Sequence, residues 1–386
     1  MDYDVIINLI DEHNESGILL TEKFKPKEVI FIYFDKEDLN YISTLKEYYN
    51  NKFKNCNFLS KKMCKENLKL EIDEFLSKLK NKKILFNLNC GKRVENLILY
   101  TICLRNNIDC KYLDIEKEML ITFTKNNIFF EKNDFIDLGV EDVIKSIGGA
   151  IVVDSTDFCN LNIIEELTLN IAKNIELWKK YKIRLSDNTI FIHDESNPNF
   201  MKIDYQTLDN IEKDILNKSL EFLVQKNQIK IKEETDYIKI YFLNNLIKSF
   251  IFKSGTWLEV LTKNIVEKIE VIDDVKSGVL FLWNDEKTRV KNELDVVAIK
   301  DSVLICISCK DSKKYDEVAL NELNVYANQL GGENVIKILV ATYKPLKSSV
   351  VERAKEMDIN LVIFDGDLNF FEEKLSNIIN KINKEP

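Results

Sequence analysis

The feature that most constrains this chain is an alternation of short apolar, β-branched runs with longer helical patterns over its first 115 residues. The runs fall at Tyr3–Ile10, Glu28–Phe34, Asn57–Lys61, Lys83–Asn89 and Cys110–Ile115; helical patterns are clearest at Glu37–Phe53, Glu66–Leu79 and Val94–Arg105. Strands alternating with helices in this way make βαβ units, and these build a parallel, doubly wound sheet. Such sheets bind ligands beyond the carboxyl ends of their strands. Two strand ends are equipped for this. The first is followed by Asp11, Glu12, His13 and Asn14, the fourth by Asn89, Cys90, Gly91, Lys92 and Arg93. A glycine at a strand-to-helix turn frees backbone N–H groups, and a helix start favours anions. Lys92 and Arg93 are locally unfavourable at a helix start unless an anion is present. The same residues also fit a tight turn carrying two solvated cations. Neither GxGxxG nor GxxxxGK[ST] occurs, which argues against ordinary dinucleotide or P-loop binding.

The two histidines of the 386 residues nearly exclude a His-rich metal site or a Ser-His-Asp triad. Eight cysteines are scattered through apolar segments; Cys306 and Cys309 form a CxxC, but a strand would turn them to opposite faces, so buried thiols are expected. The chemistry must come from carboxylates, lysines and backbone. A net charge of −9 gains little from unselective phosphate attraction. No run approaches the ~20 apolar residues of a bilayer span. The start lacks the basic region of a signal peptide, so a soluble, cytoplasmic protein is expected.

Beyond the first sheet, Met119–Phe130 reads as a β-hairpin and Asn160–Tyr181 as one long amphipathic helix. Leu208–Phe252 reads as two helices and then strands Gln228–Glu233 and Tyr237–Phe242, the order of a winged helix. From residue 254 the order is helix, three strands, helix, strand, helix, strand, helix, with Ser254 and Thr256 as candidate N-caps of the first. Strands are expected at Gly278–Trp283, Leu294–Ile299, Val303–Cys309 and Val335–Thr342, and a helix at Lys313–Leu330. A hairpin turning at Lys300–Ser302 pairs residues whose numbers sum to about 603, so Asp295 opposes Ser308. Glu293, Asp295, Ser308 and Lys310 then project from one end of the hairpin, within reach of Glu259 on the preceding helix.

This constellation resembles that of the restriction-endonuclease-like, or PD-(D/E)xK, nucleases. The resemblance implies Asp295 as a metal ligand, Glu259 or Glu293 as a second carboxylate, the Cys309 carbonyl as a further ligand, and Lys310 as the cation that orients a water. The metal would be Mn²⁺ or Mg²⁺, a hard ion suited to oxygen donors. Ser308 departs from the pattern, which most often has Glu or Asp there. Residues 254–259, 292–296 and 307–310 together resemble CRISPR ancillary nucleases that fuse a CARF (CRISPR-associated Rossmann fold) domain to such a nuclease. The resemblance implies an α/β architecture: a Rossmann-like CARF domain over 1–150, a connecting winged-helix-like segment over 151–250, and a nuclease domain over 251–386. It further implies a homodimer activated by a cyclic oligoadenylate, cyclic tetra-adenylate first, held by Asn89, Gly91, Lys92 and Arg93 with Glu12, His13 and Asn14. The substrate would be single-stranded RNA or DNA, or duplex DNA that is nicked by the enzyme, with no membrane partner. The competing readings are an oligonucleotide-sensing transcriptional regulator with a silent nuclease-like domain, and a nuclease without ligand control.

Overall fold

Strands whose two faces are both apolar need helices on both sides, and the N-terminal region supplies them. The computed structural model describes residues 3–132, 135–253, 255–283 and 291–381. In chain order come β1 (Val5–Leu9), α1 (Glu15–Phe24), β2 (Glu28–Tyr33), α2 (Asp38–Lys52), β3 (Asn57–Lys62), α3 (Leu68–Lys78), β4 (Ile84–Asn87), α4 (Arg93–Asn106), β5 (Asp109–Asp114), β6 (Met119–Phe123) and β7 (Ile128–Lys132). They form a sheet of order β3-β2-β1-β4-β5-β6-β7, parallel from β3 to β5, with β6 and β7 antiparallel. Strand order reverses between β1 and β4, so the loops after these two strands flank the switch point at which doubly wound sheets bind ligands. Helix α1 was not expected. Glu15 through Thr21 are all buried, so no polar face marks the helical period.

The middle of the chain holds α5 (Val140–Ser146), β8 (Gly149–Val153), α6 (Thr156–Cys159), α7 (Asn162–Lys173), α8 (Ile175–Tyr181), β9 (Phe191–His193), β10 (Phe200–Asp204), α9 (Asn210–Gln225), β11 (Ile229–Glu233), β12 (Tyr237–Phe242) and α10 (Asn245–Phe252). The expected long helix is two, broken at Asn174. The expected pair of helices before β11 is the single helix α9, started by Asp209, whose carboxylate accepts the N–H groups of Ile211 and Glu212. In place of a winged helix, β9 to β12 make a four-stranded antiparallel sheet of order β11-β12-β10-β9. Strands of three and five residues show too few alternations to be read from sequence.

The C-terminal order is as expected: α11 (Thr256–Val266), β13 (Asp274–Trp283), β14 (Lys291–Lys300), β15 (Val303–Lys310), α12 (Glu317–Gly331), β16 (Ile336–Ala341), α13 (Ser348–Glu356), β17 (Ile359–Ile363) and α14 (Leu368–Ile379). The sheet runs β17-β16-β15-β14-β13-β8, so β8, from before the middle segment, is its edge. Ser254 lies outside the described residues. Thr256 is not a cap: it is the first helical residue, and its buried hydroxyl has no hydrogen-bond partner.

The two sheets share a core. One apolar cluster runs from Ile6 and Phe31 through Val143 and Ile144 of α5 to Val297, Cys306 and Leu320. The opposite face of the C-terminal sheet packs Val296, Ile305, Ile307 and Cys309 against Trp257, Leu261 and Phe371. Cys306 and Cys309 therefore face opposite cores, and all eight cysteines are free.

Gly91, after β4, has φ +96°, and a Cβ there would sit 2.3 Å from Leu9 Cδ1. Gly91→Ala combines a disfavoured backbone with overlap in a packed core, so a loss of about 1–3 kcal/mol is expected in urea denaturation. An unchanged midpoint would contradict the tight packing of this turn on β1.

Candidate functional site

The β14–β15 hairpin is fixed by its turn. Asp301 (φ 51°) and Ser302 (φ 64°) are both left-handed, the signature of a type I′ connection. Lys300 pairs with Val303 and Val296 with Ile307, so paired numbers sum to 603. At Asp295 the paired register gives way to side-chain bonding. The Asp295 carboxylate accepts the N–H of Cys309 at 2.6 Å and the Ser308 hydroxyl at 3.1 Å.

The alternation of faces also breaks here. Val296 and Ala298 face α11, yet Leu294 lies in the opposite core. Across from Asp295 on β13 is Gly278, with φ +56° and Ser155 Oγ 2.8 Å from where a Cβ would be. A glycine in a strand marks such a local bend.

Helix α11 brings Glu259 to the same place. Burial raises its pKa, and the nearby Asp295 and Glu293 carboxylates raise it further; Lys253 and Lys310 pull the other way, leaving it pushed up to about 7. Asp295, Glu293, Glu259 and Lys310 thus form one electrostatic neighbourhood, with Ser308 fastened to Asp295. Glu293 is exposed, Asp295 and Lys310 are half-buried and Ser308 is buried. Carboxylate oxygens are the hard donors that a divalent cation such as Mg²⁺ or Mn²⁺ takes, although among the described residues the three acids whose ligand atoms lie within 4.8 Å of one another are Asp137, Asp273 and Asp301, not these. The Cys309 thiol is buried and its pKa is raised by that burial, so only its backbone is available for chemistry.

Asp311, which the sequence reading missed, anchors this neighbourhood. Its side chain is fully buried and accepts from Trp178 Nε1 and Trp257 Nε1, both at 2.8 Å, Lys182 Nζ at 2.5 Å and Thr342 Oγ1 at 2.6 Å. Burial works against its charge, but these four donors outweigh it and hold the carboxyl below its ordinary pKa. The residue after Lys310 is thereby tied to the helix that presents Glu259. No local motif marks this hub, because its donors lie far apart in sequence.

At the switch point, the predicted ligand residues divide. Lys92 and Arg93 are exposed at the start of α4, with no ion pair among the described residues. The Gly91 N–H donates to Asp11 Oδ2 at 2.7 Å. Asn89 is committed to β5: its side chain donates to the Leu113 carbonyl at 2.6 Å and accepts the Leu113 N–H at 2.7 Å. Asn14 is buried, with its amide on the carbonyls of Asp11 and Ser146 at 2.7 and 3.0 Å. Glu12 is exposed. His13 pairs with Glu15 at 3.6 Å and lies against Gly332, at the end of α12. Burial disfavours its imidazolium, but Glu15, Asp11 and Glu12 outweigh this and raise its pKa.

Residues 248–381 match the family model of the Card1-like endonuclease domain. Over the whole chain, the fold is similar to protein VC1899 from Vibrio cholerae, with TM-score 0.76, 18% identity and 99% of both chains covered. It is also similar to Can2 from Sulfobacillus thermosulfidooxidans, solved in complex with cyclic tetra-adenylate, with TM-score 0.71, 17% identity, and 99% of this chain and 100% of that one covered. A type III CRISPR defence DNA nuclease activated by cyclic oligoadenylate aligns with TM-score 0.51 and 14% identity over 91% of this chain and 48% of its own. No curated protein matches the sequence. The family match covers the C-terminal third of the chain, and the solved structures share the fold of the whole.

Because the folded pKa of Glu259 lies above its ordinary 4.5, its contribution to stability is full below pH 4.5 and is lost as pH rises through about 7. The stability of Glu259→Gln should therefore rise relative to the parent between pH 5 and 8. Mn²⁺ should shrink that difference by favouring the carboxylate. A difference independent of both pH and metal would contradict the electrostatic neighbourhood.

Proposed function

We propose that the protein is a divalent-metal-dependent endonuclease switched on by a cyclic oligoadenylate, cyclic tetra-adenylate first, in type III CRISPR antiviral defence. The observation that carries this reading is the meeting of Asp295, Glu259 and Glu293 beside Lys310, with Asp295 held in place by the Cys309 N–H. Asp295, Glu259 and the Cys309 carbonyl would hold Mn²⁺ or Mg²⁺, and Glu293 adds negative charge at the rim. When bound, the metal polarises the phosphodiester and acidifies a water. Lys310 orients that water and offsets charge developing on the phosphate. Ser308 serves as a hydrogen-bond donor to Asp295 rather than as a third acid. Single-stranded RNA or DNA, cleaved outright, or duplex DNA, nicked, is the proposed substrate class.

The sensing part is the N-terminal doubly wound sheet, read as a CARF domain over 1–150. The connecting segment spans 151–250 and the nuclease 251–386. Lys92 and Arg93, exposed at a helix start, would take activator phosphates, with Gly91 shaping the turn. Glu12 and His13 stand on the other side of the switch point, and the committed side chains of Asn14 and Asn89 hold the two loops in place. An isologous homodimer would present this surface twice to a two-fold ligand. Among the described residues, no helix is long and apolar enough to cross a membrane; a role against invading nucleic acid places the protein in the cytoplasm.

Asp295→Asn and Lys310→Met should each lower the cleavage rate at least 100-fold, about 3 kcal/mol of barrier, with activator binding intact. Lys92→Ala combined with Arg93→Ala should do the converse, raising the activator concentration needed without lowering the plateau rate. Cleavage assays paired with calorimetry separate the two. Undiminished cleavage by folded Asp295→Asn would remove the site assignment, and would favour a silent nuclease-like domain if the parent also fails to cleave.

A further inference from the structure

We propose that Lys179 and Lys313, gathered with the Asp311-bound Lys182 around the ring of Tyr343, form a binding site for backbone phosphates of the nucleic-acid substrate, next to the scissile position. This rests on the nuclease reading above. Lys310 pairs with Ala341 across the parallel strands β15 and β16. Tyr343 is the second residue after Ala341, in the bend that follows β16 at the same end of the sheet as Lys310.

Three ammonium groups converge on its ring, Lys179 at 5.4 Å, Lys182 at 5.1 Å and Lys313 at 5.3 Å from the centroid. They come from separate segments: Lys179 from α8, Lys182 from the turn after it, and Lys313 from the loop after β15. Like charges repel, so this gathering needs support in a chain of net charge −9. Asp311 holds Lys182, and Glu176 accepts from Lys179 at 3.0 Å. Lys313 is exposed and has no ion pair among the described residues. The ring itself is anchored. Its hydroxyl donates to the Lys179 carbonyl at 3.5 Å, and its backbone carbonyl accepts from the Tyr315 hydroxyl at 2.7 Å.

A fixed, half-exposed aromatic ring ringed by lysines is the combination that tracks a single strand: cations meet phosphates and a ring face meets a base. The shared Asp311 joins this surface to the catalytic lysine, so a strand bound at Tyr343 is delivered in a set register to Lys310.

The test measures binding, independent of cleavage. Full-length protein carrying Asp295→Asn, saturated with cyclic tetra-adenylate, is titrated against labelled single-stranded RNA and DNA oligonucleotides across a salt series by fluorescence anisotropy. Adding Lys179→Gln or Lys313→Gln should weaken binding several-fold. The double variant should lower the slope of log affinity against log salt by about 0.7 per lysine removed. Lys80→Gln, in the N-terminal half, should change neither quantity, and calorimetric affinity for cyclic tetra-adenylate should be the same in all variants. Unchanged oligonucleotide affinity and slope in the double variant would overturn the proposal. So would absence of binding to any oligonucleotide by the Asp295→Asn parent, or an equal loss of activator affinity. Loss of binding in the lysine variants, alongside an unmodified protein that never cleaves, would keep the phosphate site and discard the nuclease.

Discussion

The hydrogen bond from the Cys309 N–H to the Asp295 carboxylate, 2.6 Å long, sits where the paired register of β14 and β15 gives way to side-chain bonding. The rest of the site depends on it. A strand N–H left bare in a mostly buried sheet is costly, so the carboxylate that satisfies it is held firmly while still presented towards Glu259. Ser308 adds a second bond to the same oxygen, which gives a physical role to the residue that departs from the nuclease pattern. A glutamate at 308 would bring a fourth carboxylate to a group in which Glu259 already resists ionising.

The second constraint is the continuous apolar cluster that joins the N-terminal sheet to one face of the C-terminal sheet. Helix α5 sits between them: its end accepts from buried Asn14 in the loop after β1, while its apolar side packs with Val297 and Cys306. His13, in that same loop, lies against the end of α12. A ligand that moved the switch-point loops would thus push on packed elements around the C-terminal sheet rather than on a flexible tether. Well-packed interiors transmit such displacements because they have little free volume to absorb them.

Much of this was legible in the sequence because it is periodic and local. The doubly wound order followed from alternating runs, and the hairpin register followed from one turn, so Asp295 could be placed against Ser308 by counting. What escaped was non-local or hidden by burial. Helix α1 is buried through two full turns and shows no polar stripe; β8 pairs with a strand over a hundred residues away; β9 and β10 are too short to alternate visibly. Asp311 looked like an ordinary acid after a lysine, because Trp178, Lys182, Trp257 and Thr342 come together only in three dimensions. Asn14 and Asn89 looked like ligand contacts, and their side chains are committed to the backbone that shapes the two loops.

Cleavage of single-stranded RNA, single-stranded DNA and supercoiled plasmid by the unmodified protein, with and without Mn²⁺ and with and without cyclic tetra-adenylate, tests the central claim most directly. Cleavage of at least one substrate is expected only when metal and activator are both present, and chelation should abolish it. Equal cleavage with and without every cyclic oligoadenylate, or cleavage that survives chelation, would contradict the account of a metal-dependent nuclease under ligand control.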